Sequence, residues 1–453
     1  MFCYLHVFME TLYKLNRGWT DMDDFVQLLR CLKKDMSKGA SKLKTLYLMI
    51  PYCRDVIRGK GERDLAYRMI YAFYQVFPVL AIKALHLLFC VRDGLPMVGS
   101  WCDVKYFCVF VERISPLGSQ DPLIAIMASI ANKNIDDCSV AKWIPRECHH
   151  HELFSVFSKD FFNISPGRVF SSVKKGLYRK RVSGPKGPID PTGLKESKGP
   201  TGLFPTWFMG KYVREAIRLV KGGTLTGEPV EAIEGRWRRL LKTFPCSIMN
   251  GLPIVDLDIS IPDDLLFHSI GFACLIAEKM GLKRIMLAGT TSTWVDISRC
   301  SGFVETVRVL WSFCEVRGVS RLGEAVKLVE EGFKYVFDGS LIVFIFSERF
   351  SFDWRSLILY NRCVPVFWNM GNTFEIPHDL YVGPEDEAVN FIYMSGYASG
   401  LLMPFFSAET RVHEFYRSVL ESYSEWSAYF DLFISNVVEA TQEIPNSLSL
   451  GQI

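Results

Sequence analysis

Over residues 1–160 apolar side chains recur every three to four positions. Leu12, Leu15, Phe25, Leu28, Leu29 and Leu32 form one such series, and Ala66, Met69, Ile70 and Phe73 another. This spacing lines one face of a helix. Turn residues at Gly59, Gly61, Gly94 and Gly99 cut the pattern into short pieces. The expectation is a set of stacked antiparallel helix pairs, an α-solenoid of HEAT-like type, without a strict repeat period. Two further helices are predicted at 209–220 and 230–242. From Leu252 the pattern changes. Near-continuous apolar runs at 253–259, 284–289, 340–347, 364–369 and 391–395 alternate with helical periods at 263–280, 302–316, 321–336 and 407–422. Buried strands alternating with helices predict a parallel sheet with helices on both faces. A last aromatic helix is expected over 424–441. The sequence therefore divides into a helical part, 1–250, and an α/β part, 251–453.

Composition changes this picture in one place. The chain has 453 residues, 49% hydrophobic, with a net charge of +3, so it can bury large cores and carries no overall charge signal. Between Arg168 and Arg214, however, eleven Lys/Arg stand against only Asp190 and Glu196. Within this block, residues 184–210 are dense in Gly, Pro and Lys, with PTGL at both 191–194 and 200–203, and read as a loop insertion. Basic residues interleaved with Tyr178, Phe204, Trp207 and Tyr212 suit single-stranded RNA, through charge and base stacking. Thirteen cysteines without paired spacing read as reduced thiols of an intracellular, cytoplasmic protein. The N-terminus lacks a signal-peptide pattern, and the longest apolar stretch, 76–91, holds Lys83 and His86 and is too short to span a bilayer.

Candidate chemistry concentrates at Ile254–Ile261, IVDLDISI. An apolar strand there delivers Asp256, Asp258 and Ser260 at alternate positions, just before a helix. Hard oxygen ligands at the carboxyl end of a strand suit a Mg²⁺-type ion. The alternative is a helix N-cap or a salt-bridged cluster. Residues 54–65, RDVIRGKGERDL, offer Arg58, Lys60 and Arg63 to phosphate, with glycines allowing close backbone approach; the other reading is an inter-helix turn. The run His149–His151 is a poor metal site, because consecutive residues rarely converge on one ion. Gly289–Trp294, GTTSTW, reads as a polar strand-to-helix loop. No P-loop and no GxSxG are present, so no enzyme is expected.

These motifs in this order, with AKWIPRE at 141–147, GVSRLGEAVKLV at 318–329, LIVFIFSERFSFDW at 341–354, VPVFWN at 364–369 and MSGYASGLL at 394–402, resemble the TROVE plus von Willebrand A architecture. The resemblance covers about 50–405. It is strongest to a branch found in plants, fungi and large DNA viruses and extends more distantly to the Ro autoantigen. It implies an N-terminal helical ring that binds RNA, and a Rossmann-like von Willebrand A domain carrying a metal-ion-dependent adhesion site. That site's Asp-x-Ser-x-Ser reads Asp-x-Asp-x-Ser here. The resemblance places Ser320 on a conserved Ser, Arg321 where the family has Thr, and Glu348 where it has Asp. Asp256, Asp258, Ser260, Ser320 and Glu348 are thus the candidate metal ligands. Arg321 is expected to pair with Asp256 or Asp258 and replace the cation, leaving Mg²⁺ weak or absent.

The leading expectation is a non-catalytic RNA-binding protein of Ro-like type, with Arg58, Lys60, Arg63, Lys174, Lys175, Arg179, Lys180 and Arg181 as candidate contacts. The alternative is a protein-interaction scaffold using the adhesion-site face, without RNA. No membrane partner is expected.

Overall fold

A computed structural model describes residues 22–55, 59–89, 91–92, 95–96, 98–133, 143–145, 149–162, 209–245, 250–280, 282–333, 341–348, 350, 363–371, 391–406 and 421–442. The chain divides into two compact units, each discontinuous in sequence. One gathers the described residues within Gly39–Leu65 and Phe204–Ser424, and the other those within Met22–Lys38, Ala66–Leu203 and Glu425–Ile453.

The second unit is helical. It draws on α1 (Asp23–Lys34), most of α3 (Arg63–Val76), α4 (Pro78–Leu88), α5 (Cys102–Ile114), α6 (Pro122–Lys133), α7 (His151–Phe162) and most of α13 (Ser424–Gln442). The apolar stripe of α1 buries Phe25, Val26, Leu29 and Leu32, whereas Leu28 is exposed. Phe25 meets Phe73 edge-on at 5.9 Å. Lys33 Nζ donates to the carbonyl of Val76 at 2.9 Å, placing a cation at the negative end of α3. Tyr67 donates its hydroxyl proton to the fully buried Asp103, which also accepts from the backbone N–H of Ser100 at 2.7 Å. Leu12 and Leu15 lie outside the described residues.

The first unit is built around a six-stranded sheet. Its strands are β1 (Asn250–Asp256), β2 (Arg284–Ala288), β3 (Ser292–Asp296), β4 (Leu341–Ser347), β5 (Cys363–Asn369) and β6 (Ile392–Ser395), in the order β3-β2-β1-β4-β5-β6. All neighbours pair parallel except β3, which runs antiparallel to β2 at the edge. β4 is buried along its whole length and β1 at every position after Asn250, as a sheet covered on both faces requires. Along the chain, helices α10 (Asp263–Lys279), α11 (Phe303–Cys314) and α12 (Leu322–Phe333) lie between these strands. After β1 the chain builds outward to β2 and β3, then returns to the other side of β1 with β4. The crevice between β1 and β4 is thus a topological switch point, where open α/β sheets place their sites.

Helices α2 (Met36–Arg54, from Gly39), α8 (Met209–Lys221) and α9 (Glu228–Thr243) also belong to this unit, so the partition differs from a single cut after residue 250. The reason lies in packing. α8 buries Met209, Tyr212, Val213, Ala216 and Ile217, and a side chain at Gly271 of α10 would collide with Met209. Three strands were not foreseen: a short antiparallel pair, Val91–Arg92 with Leu95–Pro96, in the helical unit, and one in the sheet unit. Within GTTSTW only Gly289–Thr291 form a loop; from Ser292 the chain is β3, an edge strand whose Trp294 pairs with Met286. The predicted helix 407–422 lies almost wholly outside the described residues.

Candidate functional site

β1 ends at Asp256, and three loops close over the carboxyl ends of β1 and β2. Leu257 N–H still donates to the carbonyl of Ala288 at 2.8 Å. Asp258 then bridges to Gly318, and Ile259 N–H donates to the Gly318 carbonyl at 3.0 Å. Arg321 N–H reaches the Gly289 carbonyl at 3.0 Å, and Ser320 Oγ donates to that of Ala288 at 3.0 Å. Gly318 is required by crowding, since a Cβ there would lie 2.4 Å from Cγ2 of Thr290. Residues far apart in sequence are thereby locked together around two carboxylates.

Each of the four carboxylate oxygens accepts a protein donor. Asp256 Oδ1 accepts from Asp258 N–H at 3.1 Å and Oδ2 from the Ser347 hydroxyl at 2.5 Å. Asp258 Oδ1 accepts from Ser260 N–H at 2.9 Å and Oδ2 from Ser320 N–H at 2.9 Å. Asp256 is only 5% exposed, and burial pushes its carboxyl above the usual range. The hydroxyls of Ser320 and Ser347 and the Asp258 N–H pull it back, while the charge of Asp258 adds to the rise.

Asp256, Asp258, Ser260 and Ser320 thus meet in one network, joined by Ser347, which the sequence reading did not single out. Its position on β4 beside Asp256 became visible only with the β1–β4 pairing. Glu348 follows it, half-buried, with its side chain over Gly371, where any Cβ would sit 2.2 Å from Glu348 Cγ. Arg321 does not replace a cation. Its guanidinium is 61% exposed and pairs with Glu324 at 3.1 Å, one turn away, so the expected pairing with the aspartates is not made. The aspartates are held by N–H and O–H donors instead. Among the described residues no three His, Cys, Asp or Glu side chains form a metal-holding group. An ion here would lean on hydroxyls, carbonyls and water as well as on the carboxylates.

The RDVIRGKGERDL segment also differs from its phosphate-binding reading. Lys60 is 1% exposed, and its Nζ donates to Ser395 Oγ at the carboxyl end of β6, at 2.6 Å. Burial lowers its pKa to about 8, opposed by Cys53 and Glu62. The segment folds back onto the end of α2. Lys60 N–H donates to the carbonyl of Tyr52, Gly61 N–H to that of Asp55 and Glu62 N–H to that of Cys53. Gly59 has no room for a side chain, because a Cβ would stand 2.0 Å from the Tyr52 oxygen. Lys60 is therefore unavailable to phosphate. Arg63 is half-buried at the start of α3. Arg58, Lys174, Lys175, Arg179, Lys180 and Arg181 lie outside the described residues.

The rim of the Asp256–Asp258 network carries the exposed apolar side chains Ile259, Val316 and Val319, at 65%, 73% and 74% exposure. The Ile259–Gly318 hydrogen bond brings the loops that carry them side by side. Scans against protein-family models and curated proteins matched nothing. Among the described residues no helix is long and apolar enough to cross a membrane.

Proposed function

We propose that the chain is a non-catalytic interaction protein that grips a protein segment with the carboxyl-end loops of its sheet. In this reading the sheet unit is a von Willebrand A-type domain and the helical unit a TROVE-like array of HEAT-like repeats. The doubly wound strand order with one antiparallel edge supports the first assignment. The carrying observation is the exposed trio Ile259, Val316 and Val319 beside Asp258 and Ser260. Three aliphatic side chains exposed to water on loops tied by backbone hydrogen bonds favour an apolar partner surface. Arg214, Arg317 and Arg321 pair with Asp264, Asp263 and Glu324, which leaves Asp258 and Glu315, next to Ile259 and Val316 in the chain, as an acidic excess that favours aliphatic and basic side chains in the partner. The aspartates act here through their own donor network, with Mg²⁺ weak or dispensable. In this reading the activity is cytoplasmic, which the unpaired spacing of the thirteen cysteines supports.

A display library of random peptides, selected on the intact protein, tests the reading. Selection should enrich peptides carrying aliphatic and basic residues. Their affinity should fall about tenfold or more, roughly 1.4 kcal/mol, with Val316→Asp/Val319→Asp. No enrichment, or equal binding to the variant, overturns it.

A second reading, RNA binding, rests on the eleven-to-two basic excess of residues 168–214. It expects retention of single-stranded RNA at low salt, with a log–log salt slope of roughly −0.7 per phosphate neutralised. Changing Lys174, Lys175, Arg179, Lys180 and Arg181 to Ala should flatten that slope, and absence of retention by the unaltered protein ends this reading.

A further inference from the structure

At the amino-terminal edge of the same sheet, away from the Asp256 network, a cavity of about 750 Å³ opens between α9, the end of α10 and the start of α11. Its volume is in the range of small-molecule sites. Trp237 and Phe303 line it as a stacked pair, ring centroids 3.9 Å apart. Several of its charges are already engaged. Glu234 accepts the N–H groups of Phe303 at 3.1 Å and Val304 at 2.8 Å, capping α11. Glu305 accepts from the Ser301 N–H and hydroxyl and pairs with Arg308 at 3.7 Å.

Of the other lining charges, three have no ion-pair partner among the described residues: Arg238, whose Nε donates to the Glu234 carbonyl at 3.4 Å, Glu278 and Lys283, and the last two are the opposite pair open to a ligand. Glu278 Oε1 accepts from Trp237 Nε1 at 2.9 Å, and its other oxygen has no partner among the described residues. Burial raises this carboxyl to about 7, with the negative field of Glu234 adding and Lys283 opposing. Lys283 is the only non-glycine among the described residues with a positive φ, 48°. The backbone holds it there, with its N–H on the Ala277 carbonyl at 3.1 Å and its own carbonyl accepting from Ile297 N–H at 2.9 Å. Such a conformation persists only where the surroundings enforce it, and it collects at functional sites. Lys283 is close enough to act on Glu278, yet the two make no ion pair within 4.0 Å. Both side chains line the cavity without pairing with each other, so a group carrying both charges can meet each of them.

We propose that this cavity binds a free α-amino acid with an aliphatic side chain. The ammonium meets the open oxygen of Glu278 and the carboxylate meets Lys283. The side chain lies against Leu225, Val230, Leu241 and Ile297, which line the same cavity.

Calorimetric titration of the intact protein with L-leucine, 4-methylpentanoate and 3-methylbutylamine tests this. L-Leucine should bind at millimolar or better, with each half-ligand at least about tenfold weaker. Glu278→Gln keeps the bond from Trp237 but should remove the preference of L-leucine over the carboxylate. Lys283→Gly should remove its preference over the amine. Glycine relieves the left-handed backbone, so that variant should melt no lower than the unaltered protein, and loss of binding cannot then be ascribed to unfolding. No heat at about 10 mM ligand, or undiminished binding by both variants, overturns the proposal.

Discussion

Asp256 shows how a nearly buried carboxylate is satisfied by protein donors. Its two oxygens take an N–H and a hydroxyl, and the neighbouring Asp258 takes two more N–H groups. Because the folded-state pKa of Asp256 is raised, its protonated form is favoured by folding. That contribution is fully present below the unfolded carboxyl pKa and is lost as pH rises through the folded value. Asp256→Asn should therefore gain in stability relative to the unaltered protein as pH climbs from about 3 towards neutrality. Asp256→Ala, which leaves Ser347 and the Asp258 N–H unsatisfied, should cost about 1–3 kcal/mol at low pH and less as pH rises. Denaturation midpoints across that range decide; a difference for Asn that shrinks with pH would mean the carboxylate is better stabilised folded than unfolded. The alternation in IVDLDISI made this residue legible, because a strand end followed by a helix fixes where the side chains emerge. The partner was not legible. Arg321 sits next to Ser320 in sequence, but its side chain follows the first turn of α12 to Glu324. Lys60 reads as a surface lysine between two glycines, and only contact with Ser395, far along the chain, buries it.

Among elements, the parallel strands were readable because a strand covered on both faces must be apolar throughout. β3 was not, since STWVD is an edge strand with polar and apolar residues mixed and little burial. Its identity comes from pairing with β2, a non-local fact. The helices α8 and α10 show a finer dependence. Their axes approach closely because Gly271 of α10 faces Met209, whose Cβ and carbonyl oxygen would stand 2.9 and 3.0 Å from any added Cβ. Gly210 likewise presents its N–H to His268 Nδ1 at 3.0 Å. Gly271→Val gains helix propensity, worth under about 1 kcal/mol, but forces α8 outward, and such overpacking typically costs about 1–3 kcal/mol or more. The variant should unfold at lower denaturant with an unchanged slope. An unchanged midpoint would mean that α8 does not seat on α10 in solution.

For the molecule as a whole, the sheet unit is assembled from distant stretches, so its foldable boundary is not a single cut. The sequence divides by period at residue 250, yet α8 and α9 bury Met209, Val213, Ala216, Ile233, Trp237 and Leu240, and the 39–65 stretch delivers Lys60 to Ser395. Asp55 of that stretch also accepts from the hydroxyl of Tyr423 at 3.2 Å. A fragment 251–453 lacks all of these partners. It leaves exposed the apolar face of α10 that α8 covers, and the polar end of β6 without its ammonium. It should be poorly folded, with low dispersion in two-dimensional NMR spectra. A fragment 204–424 should bind a synthetic peptide of residues 39–65 and gain cooperative unfolding on doing so. The same peptide carrying Lys60→Ala should bind at least about tenfold more weakly, because it loses the buried ammonium's bond to Ser395 and a positive charge near Glu62. Folding of 251–453 by itself, or equal complementation by both peptides, would show that the 39–65 stretch only lies against the sheet unit and does not complete it.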